Sequence, residues 1–559
     1  MNRADAKHLA LLVVSLSLGV VGCSEEGALP VTYTPPAPPP SLQAVSASPE
    51  SVGPGELLLL KATANAPHGA LSFSWSTTTG FVRAPESDAD SSNTVWMSPS
   101  CLPTDVTPTV TVTVSDDLGR SASHSFPVKW TGPACTRPLC AFSLEKERLA
   151  AVADCTTDST LFIPDAYTFD GQGHSVTAVD PPGGHFTGAI IRNRGSTARV
   201  RGVTVSASGL RDICEGDVAR RLRGILIEGA SGEVADSRLG GLSRGDGKSG
   251  CQEGFGIEVR NDDASRGSFQ VDVLRNHVSG YQKVGILATG AVDVTIDGNT
   301  VDGGGAVDYI ARNGIQIGNG ARARVTKNKV SGNAYTDTRI TVGSGVLVRV
   351  DEGKPLVTGL VIEGNTFIDN DVGIYLAQDV GNPIELPERA RIADNRLENS
   401  EEPLPTGYQA AITDYYGTGS IITSNDIKGM GYDPETVPDV TFAVDVYTTL
   451  PVSKLSFLTS SYDIATGACS GKVTVQSQDD HGNLVPSSGS FTLEADGPAA
   501  SGVTFHADPG CSGAAISSVD LSNPQAEAIF YFKSSRPGTV TVRVSGGGLV
   551  PASQDQIIH

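Results

Sequence analysis

Val273-Leu274-Arg275-Asn276-His277-Val278 and Ile296-Asp297-Gly298-Asn299-Thr300-Val301 are two copies of one unit, apolar–x–x–Asn–x–apolar. The unit returns at Val325/Asn328/Val330, Ile362/Asn365/Phe367, Ile392/Asn395/Leu397 and Ile422/Asn425/Ile427. Two earlier copies keep the apolar frame around another middle residue: Val200/Val203/Val205 and Val234/Ser237/Leu239. Between copies runs a second pattern, Gly–Ile–x–apolar, starting at Gly224, Gly256, Gly285, Gly314 and Gly373. From Asn276 onward the asparagines are 23, 29, 37, 30 and 30 residues apart. A fixed unit with inserts of varying length is how a solenoid reads, each insert being a loop.

The apolar segments are short, rich in Val and Ile, and alternate, which predicts strands rather than helices. Asn tolerates the left-handed backbone region, so it is expected at the sharp bend between two strands. Stacked in register, Asn276, Asn299, Asn328, Asn365, Asn395 and Asn425 would form an amide ladder from coil to coil. Unrelated β-hairpins with Asn-Gly turns would not return one strand–bend–strand unit six times. The prediction is an all-β chain built on a parallel β-helix.

Glycine makes up 64 of 559 residues and aromatics only 6%, which suits short strands and tight turns and argues against a helical protein. A formal net charge of −21 argues against a nucleic-acid partner, since phosphate binding needs a concentrated basic face. The N-terminus reads as a targeting segment: Arg3 and Lys7, an apolar run from Leu9 to Val21, then Gly22-Cys23. That run is too short for an ordinary transmembrane helix. The Val20-Val21-Gly22-Cys23 ending resembles the lipobox of bacterial lipoproteins, which implies lipidation of Cys23 and an anchor in the cell envelope. Ser24 rather than Asp follows, which by analogy with the enteric sorting rule implies the outer membrane. Eight further cysteines suit disulfides in an exported protein. Sequence alone leaves 105 pairings open; neighbourhood suggests Cys101–Cys135, Cys140–Cys155, Cys214–Cys251 and Cys469–Cys511. No CxxC pair has a matching partner, so structural zinc is not expected.

Five segments follow: 1–22 the signal peptide, 23–41 a Pro-rich tether, 42–131 a first β-sandwich, 132–445 the β-helix, and 450–559 a second β-sandwich. The tether is expected to be extended polyproline. Thr109-Val110-Thr111-Val112-Thr113-Val114 alternates as a strand with one buried face. The stretches at 72–75 and 114–119 resemble PKD/immunoglobulin-like modules of bacterial surface proteins. Phe530-Tyr531-Phe532, with Cys469 and Cys511, resembles bacterial Ig-like domains, and alternation predicts core packing for this aromatic run. Asp170 and His174 are read as parts of a tight Gly-Gln-Gly bend rather than as catalytic groups.

Aligning the Gly–Ile strands places a polar stripe on one face. Glu253, Glu258, Arg260, Tyr281, Lys283, Arg312 and Gln316 are expected to line one groove there, with ion pairs on a wet face as the plainer alternative. The Asn-bearing coils and Asp170-Gly171-Gln172-Gly173-His174 resemble the right-handed parallel β-helix (pectate-lyase-like) repeat superfamily over about 140–445. The resemblance implies that fold. The aspartate sets of polygalacturonase-type hydrolases are missing, and no pectate-lyase calcium cluster is evident, so the fold carries no enzymatic claim.

Two functions stand. The first is a monomeric outer-surface lipoprotein that binds polysaccharide or another cell-surface ligand along the groove without catalysis, using outward polar residues and a stackable Tyr281 or Tyr375. The alternative is a polysaccharide lyase acting on uronic-acid polymers, which needs a base and positive charge beside the enolate-like intermediate. There Lys283 or Arg260 is the base, Tyr281 the acid and Arg312 the carboxylate clamp, with Glu253 and Glu258 as ligands for a calcium ion. A hydrolase using the two glutamates is weaker, because nothing fixes their separation.

The anchor gives a direct test. Cys23→Ala should abolish labelling by a fatty-acid probe and release the protein from the membrane fraction. Labelling equal to that of the parent would refute lipidation.

Overall fold

From Phe142 to Val446 the chain winds through three long, largely parallel sheets, because its strands are too short to bury a face alone and must stack. The computed structural model describes residues 38–66, 69–135, 140–336, 341–378, 389–400, 407–415, 419–446, 450–521 and 524–559. The stretch read as a signal peptide, Cys23 and the Pro-rich stretch as far as residue 37 lie outside the described residues. Among the described residues there is no α-helix, only four single-turn 3-10 segments.

Sheet I has ten strands, including Arg223–Glu228, Phe255–Asn261, Val284–Gly290, Asn313–Gly318, Ser344–Arg349 and Val372–Ala377. Sheet II has eleven, including Phe269–Leu274, Val292–Asp297 and Arg322–Thr326, and sheet III ten, including His277–Ser279 and Lys329–Tyr335. Each coil visits sheets I, II and III in turn. Inward columns such as Ile257, Ile286 and Ile315 on sheet I, and Val273, Ile296 and Val325 on sheet II, are wholly buried and form one continuous core. The glycine of the Gly–Ile pattern is imposed by close approach. A methyl group at Gly285 would lie 2.6 Å from the Gly314 carbonyl oxygen, and one at Gly314 2.8 Å from that of Gly345.

The asparagines occupy the bend between sheets II and III and saturate their amides. Asn299 Oδ1 accepts from the backbone N–H (2.8 Å) and Nδ2 (3.1 Å) of Asn276, while its own Nδ2 donates to Val273 O (2.8 Å) and Asn328 Oδ1 (2.9 Å). The same pattern repeats through Asn328, Asn365, Asn395 and Asn425. At the start, Ser237 takes the asparagine's place and its N–H bonds Asn276 Oδ1 at 3.0 Å. One expectation is corrected. The left-handed residue is the one before the asparagine: Arg275, Gly298, Lys327, Gly364, Asp394 and Ser424 have φ between 54° and 67°. The preceding residue makes the turn, which leaves the asparagine free to aim its amide along the axis.

The ladder does not stop with the solenoid. Gln525, from the C-terminal domain, places Oε1 at 2.9 Å from Asn425 N and 3.0 Å from its Nδ2, and its Nε2 donates to Asn425 O at 2.9 Å. Gln476 Nε2 reaches Ile422 O at 2.8 Å. This domain has two five-stranded sheets, one containing Val473–Gln478 and Glu527–Ser534, the other Gly489–Asp496, Gly538–Ser545 and Ala552–Ile558. Phe530 and Phe532 are buried in its core and Tyr531 is half-buried. The N-terminal domain pairs a five-stranded antiparallel sheet (Ser41–Ser48, Leu57–Asn65, Ser91–Met97 and two short strands) with a three-stranded one (Leu71–Thr77, Thr109–Asp116, Ser121–Pro127). It meets the first coil through Phe81 against Phe142 (5.3 Å between centroids) and Arg194 Nε to Pro54 O (2.7 Å). All four disulfides join the neighbouring pairs, with Cα separations of 5.1–5.6 Å.

Removing one buried amide strands its partners above and below. Asn365→Leu should therefore cost about 1–3 kcal/mol, while Lys354→Ala at an exposed turn should stay within about 0.5 kcal/mol. Equal urea midpoints for Asn365→Leu and the parent would refute the ladder's contribution.

Candidate functional site

The outward side of sheet I carries a groove of about 480 Å³, walled by loop residues Val218, Arg221 and Gln252. Its floor follows from strand register. One outward column reads Glu258, Leu287, Gln316, Leu347, Tyr375, and the parallel column two residues on includes Arg260, Thr289 and Arg349. Phe255, Val284 and Leu287 form a small apolar patch at one end.

Four of the seven stripe residues reach this groove: Glu258, Arg260, Lys283 and Gln316. Glu253, Tyr281 and Arg312 do not. Glu253 is buried and accepts from Arg244 Nη2 (2.9 Å), Leu222 N (2.7 Å) and Glu215 N (2.8 Å), which pins the loops tied by Cys214–Cys251. Tyr281 lies inside the solenoid, where its hydroxyl donates to Asn333 Oδ1 at 2.6 Å. Asn333 and Asn370 are themselves stacked, so Tyr281 ends a second amide ladder. Burial pushes its pKa far above the usual phenol range, so it is no proton donor for a ligand in the groove. Arg312 is nearly buried and bonds Gly303 O and Tyr309 Oη.

Glu258 and Arg260 face the groove yet are already paired. Arg192, Glu228, Arg260, Glu258 and Arg223 form an alternating chain of ion pairs across successive coils. Arg223 and Glu258 are almost fully buried, so each charge needs the other. A packing role thus accounts for charges that the sequence offered as a base and a ligand contact. With Glu258 held by Arg223 and Arg260, and Glu253 held by Arg244 outside the groove, the two glutamates do not form a calcium pair.

Lys283 is different. Its Nζ donates to Ala311 O at 2.6 Å, and among the described residues it makes no ion pair. Burial, with the positive charge of Arg349 adding to it, pushes its pKa down to about 8. Arg349 is largely exposed and pairs loosely with Asp351 at 3.6 Å. The same groove holds Asn313, whose Nδ2 donates to Gln316 Oε1 (3.1 Å), and Ser344, whose buried Oγ has no hydrogen-bond partner among the described residues. An anionic group entering the groove could accept hydrogen bonds from both the ammonium and the hydroxyl. Ser344, Leu347 and Arg349 escaped the sequence reading because their coil carries Gly345-Val346 instead of Gly–Ile; accepting any β-branched residue there would have found them.

Residues 187–431, a little under half of the chain, match the family described as "right handed beta helix region". No curated protein matches the chain. Of solved structures, the chain is similar to "Crystal structure of the S-layer protein SbsC domains 4 and 5", at 12% identity and a TM-score of 0.15. The match covers 21% of this chain and about half, 55%, of that one, a likeness too slight to bear on function.

An ammonium that dislikes its site leaves a thermodynamic trace. In the unfolded chain Lys283 titrates near about 10.4, so between about pH 8 and 10.4 the unfolded chain holds a proton that the folded one has lost. Stability therefore rises with pH across that window, and the penalty is complete below it. Lys283→Met should be more stable than the parent at pH 7, by about 1–3 kcal/mol, with the gap closing toward pH 10. A gap that is constant with pH in urea titrations would refute the buried charge.

Proposed function

We propose that this right-handed β-helix is a surface-anchored binding protein whose sheet I groove holds an acidic polysaccharide. The observation that carries this reading is Lys283: a cation kept half-buried in an open groove at a cost to folding, beside a Ser344 hydroxyl unpartnered among the described residues, in a chain of net charge −21. Strain kept in a groove points to use there. The floor suits a sugar chain, since Leu287, Leu347 and Tyr375 offer apolar faces while Asn313 and Gln316 offer amides. Cys23 would supply the lipid anchor and the Pro-rich segment the spacer, placing the groove outside the envelope.

Lyase activity is the second reading, and the same lysine favours it, because an amine with a pKa of about 8 is partly neutral in mild alkali and can take a proton. Against it, Tyr281 and Arg312 are withdrawn from the groove, so the proton donor and clamp assigned to them are missing. Arg349 is the remaining clamp.

Calorimetry with short uronic-acid oligosaccharides separates the readings. Binding should weaken as pH rises through about 8, where Lys283 loses its charge. Lys283→Met should lose at least about tenfold in affinity. Affinity unchanged in Lys283→Met would overturn the groove assignment. Accumulation of an ultraviolet-absorbing unsaturated product by the parent but not by Lys283→Met would establish the lyase instead.

A further inference from the structure

Past Tyr375 the outward column of sheet I runs on through Thr413 to Asp445, one coil at a time. Tyr408, just ahead of the strand Gln409–Asp414, lies over this column. Its hydroxyl donates to Asp445 Oδ2 at 2.5 Å and bonds Thr413 Oγ1 at 2.9 Å, and its ring meets Phe442 with centroids 5.4 Å apart. Tyr375, Tyr408, Phe442 and Asp445 are each half-buried, so faces of the rings and an edge of the carboxylate remain open. Burial and the Asp445 carboxylate both hold the Tyr408 hydroxyl in its protonated form, and Asp445 Oδ1 carries no hydrogen bond among the described residues.

We propose that this aromatic and carboxylate group is a second subsite that takes a neutral pyranose ring, so that the ligand is a heteropolysaccharide with acidic and neutral residues rather than a uniform polyuronate. The inference rests on the groove reading above and adds the ligand's composition. Three arguments support it. Tyr375 lines the groove that holds Lys283 and also borders the aromatic group, so the two are continuous. The electron-rich ring faces attract the polarised C–H groups of a sugar, while a carboxylate accepts hydrogen bonds from its hydroxyls. That same carboxylate repels a uronate, which inverts the preference set by Lys283 and Arg349. From the coil of Val284 to that of Val372 are three steps, or about 14 Å at the spacing of parallel strands, enough for about three sugar rings. The acidic residue would sit at Lys283 and Ser344, and the neutral one on Tyr375 and Tyr408.

The test is calorimetry on the full chain with four probes: an acidic disaccharide, a homotetramer of galacturonate, a tetrasaccharide alternating uronic acid with neutral hexose, and a neutral tetrasaccharide. The alternating tetramer should bind about tenfold more tightly than the disaccharide, and the homotetramer should gain little. Tyr408→Ala should erase the gain from chain length and leave the acidic disaccharide within about twofold; Tyr408→Trp should keep the gain. Asp445→Asn should raise affinity for the homotetramer. If Tyr408→Ala and Asp445→Asn bind all four probes as the parent does while Lys283→Met loses the disaccharide, the second subsite is refuted and the groove stands. If Lys283→Met binds the disaccharide as the parent does, both fall together.

Discussion

The solenoid depends on a demand that a buried primary amide makes of its surroundings. Asn299 has one acceptor and two donor hydrogens, and inside the wall of the coil all must be met by protein. The coil before supplies Asn276 and Val273 O; the coil after supplies Asn328. No single coil satisfies its own asparagine, so each is stable only in the company of its neighbours. That requirement explains how strands of three residues, such as His277–Ser279, hold a fixed register with no hairpin to set it. Register then brings the inner isoleucines and valines into columns, and burial of those columns provides the bulk of the stabilisation.

A stack with such a rule has an unsatisfied coil at each end, and open sheet edges that would pair with anything extended. The two ends are closed differently. At the first coil an antiparallel hairpin, Phe142–Glu145 with Arg148–Ala151, turns the edge, and aromatic contacts seat the N-terminal domain. At the last, the C-terminal domain offers Gln525 in the stereochemical role of the next asparagine, and Glu527 accepts from Ser424 N. Both closures use side chains far off in sequence, which joins the three folded parts to one another.

Most of the fold was legible because its determinants recur. Six asparagines and five Gly–Ile pairs speak for themselves, and the frame around Ser237 was visible without the amide. What did not recur was not legible. The left-handed position is filled by Arg, Gly, Lys, Asp or Ser, so no residue type marks it. The groove was half read. Alternation put Glu258 and Arg260 on the outward face, yet nothing near them in sequence announces that Arg223 and Glu228, a coil earlier, neutralise them. Residues before a strand, such as Glu253, Tyr281 and Arg312, lie in loops, where period-two reasoning has no purchase; two of them support the wall or the interior. Lys283 occupies a similar loop position and reaches the groove instead. Only three-dimensional placement separates these cases.

Steps of 23 to 37 residues between asparagines leave the ladder unbroken. The ladder is therefore indifferent to how much chain loops out between rungs, and Gln525 recognises only the last rung, not the number before it. Duplication or loss of one whole coil in a gene would leave every joint intact, since an asparagine would still meet an asparagine and the final one would still meet Gln525. A point of recombination between two similar coils would be silent in the fold while moving the coils of Lys283 and Tyr375 apart or together. Such a scaffold can vary the span of its grooved face in single-coil increments, with no new core.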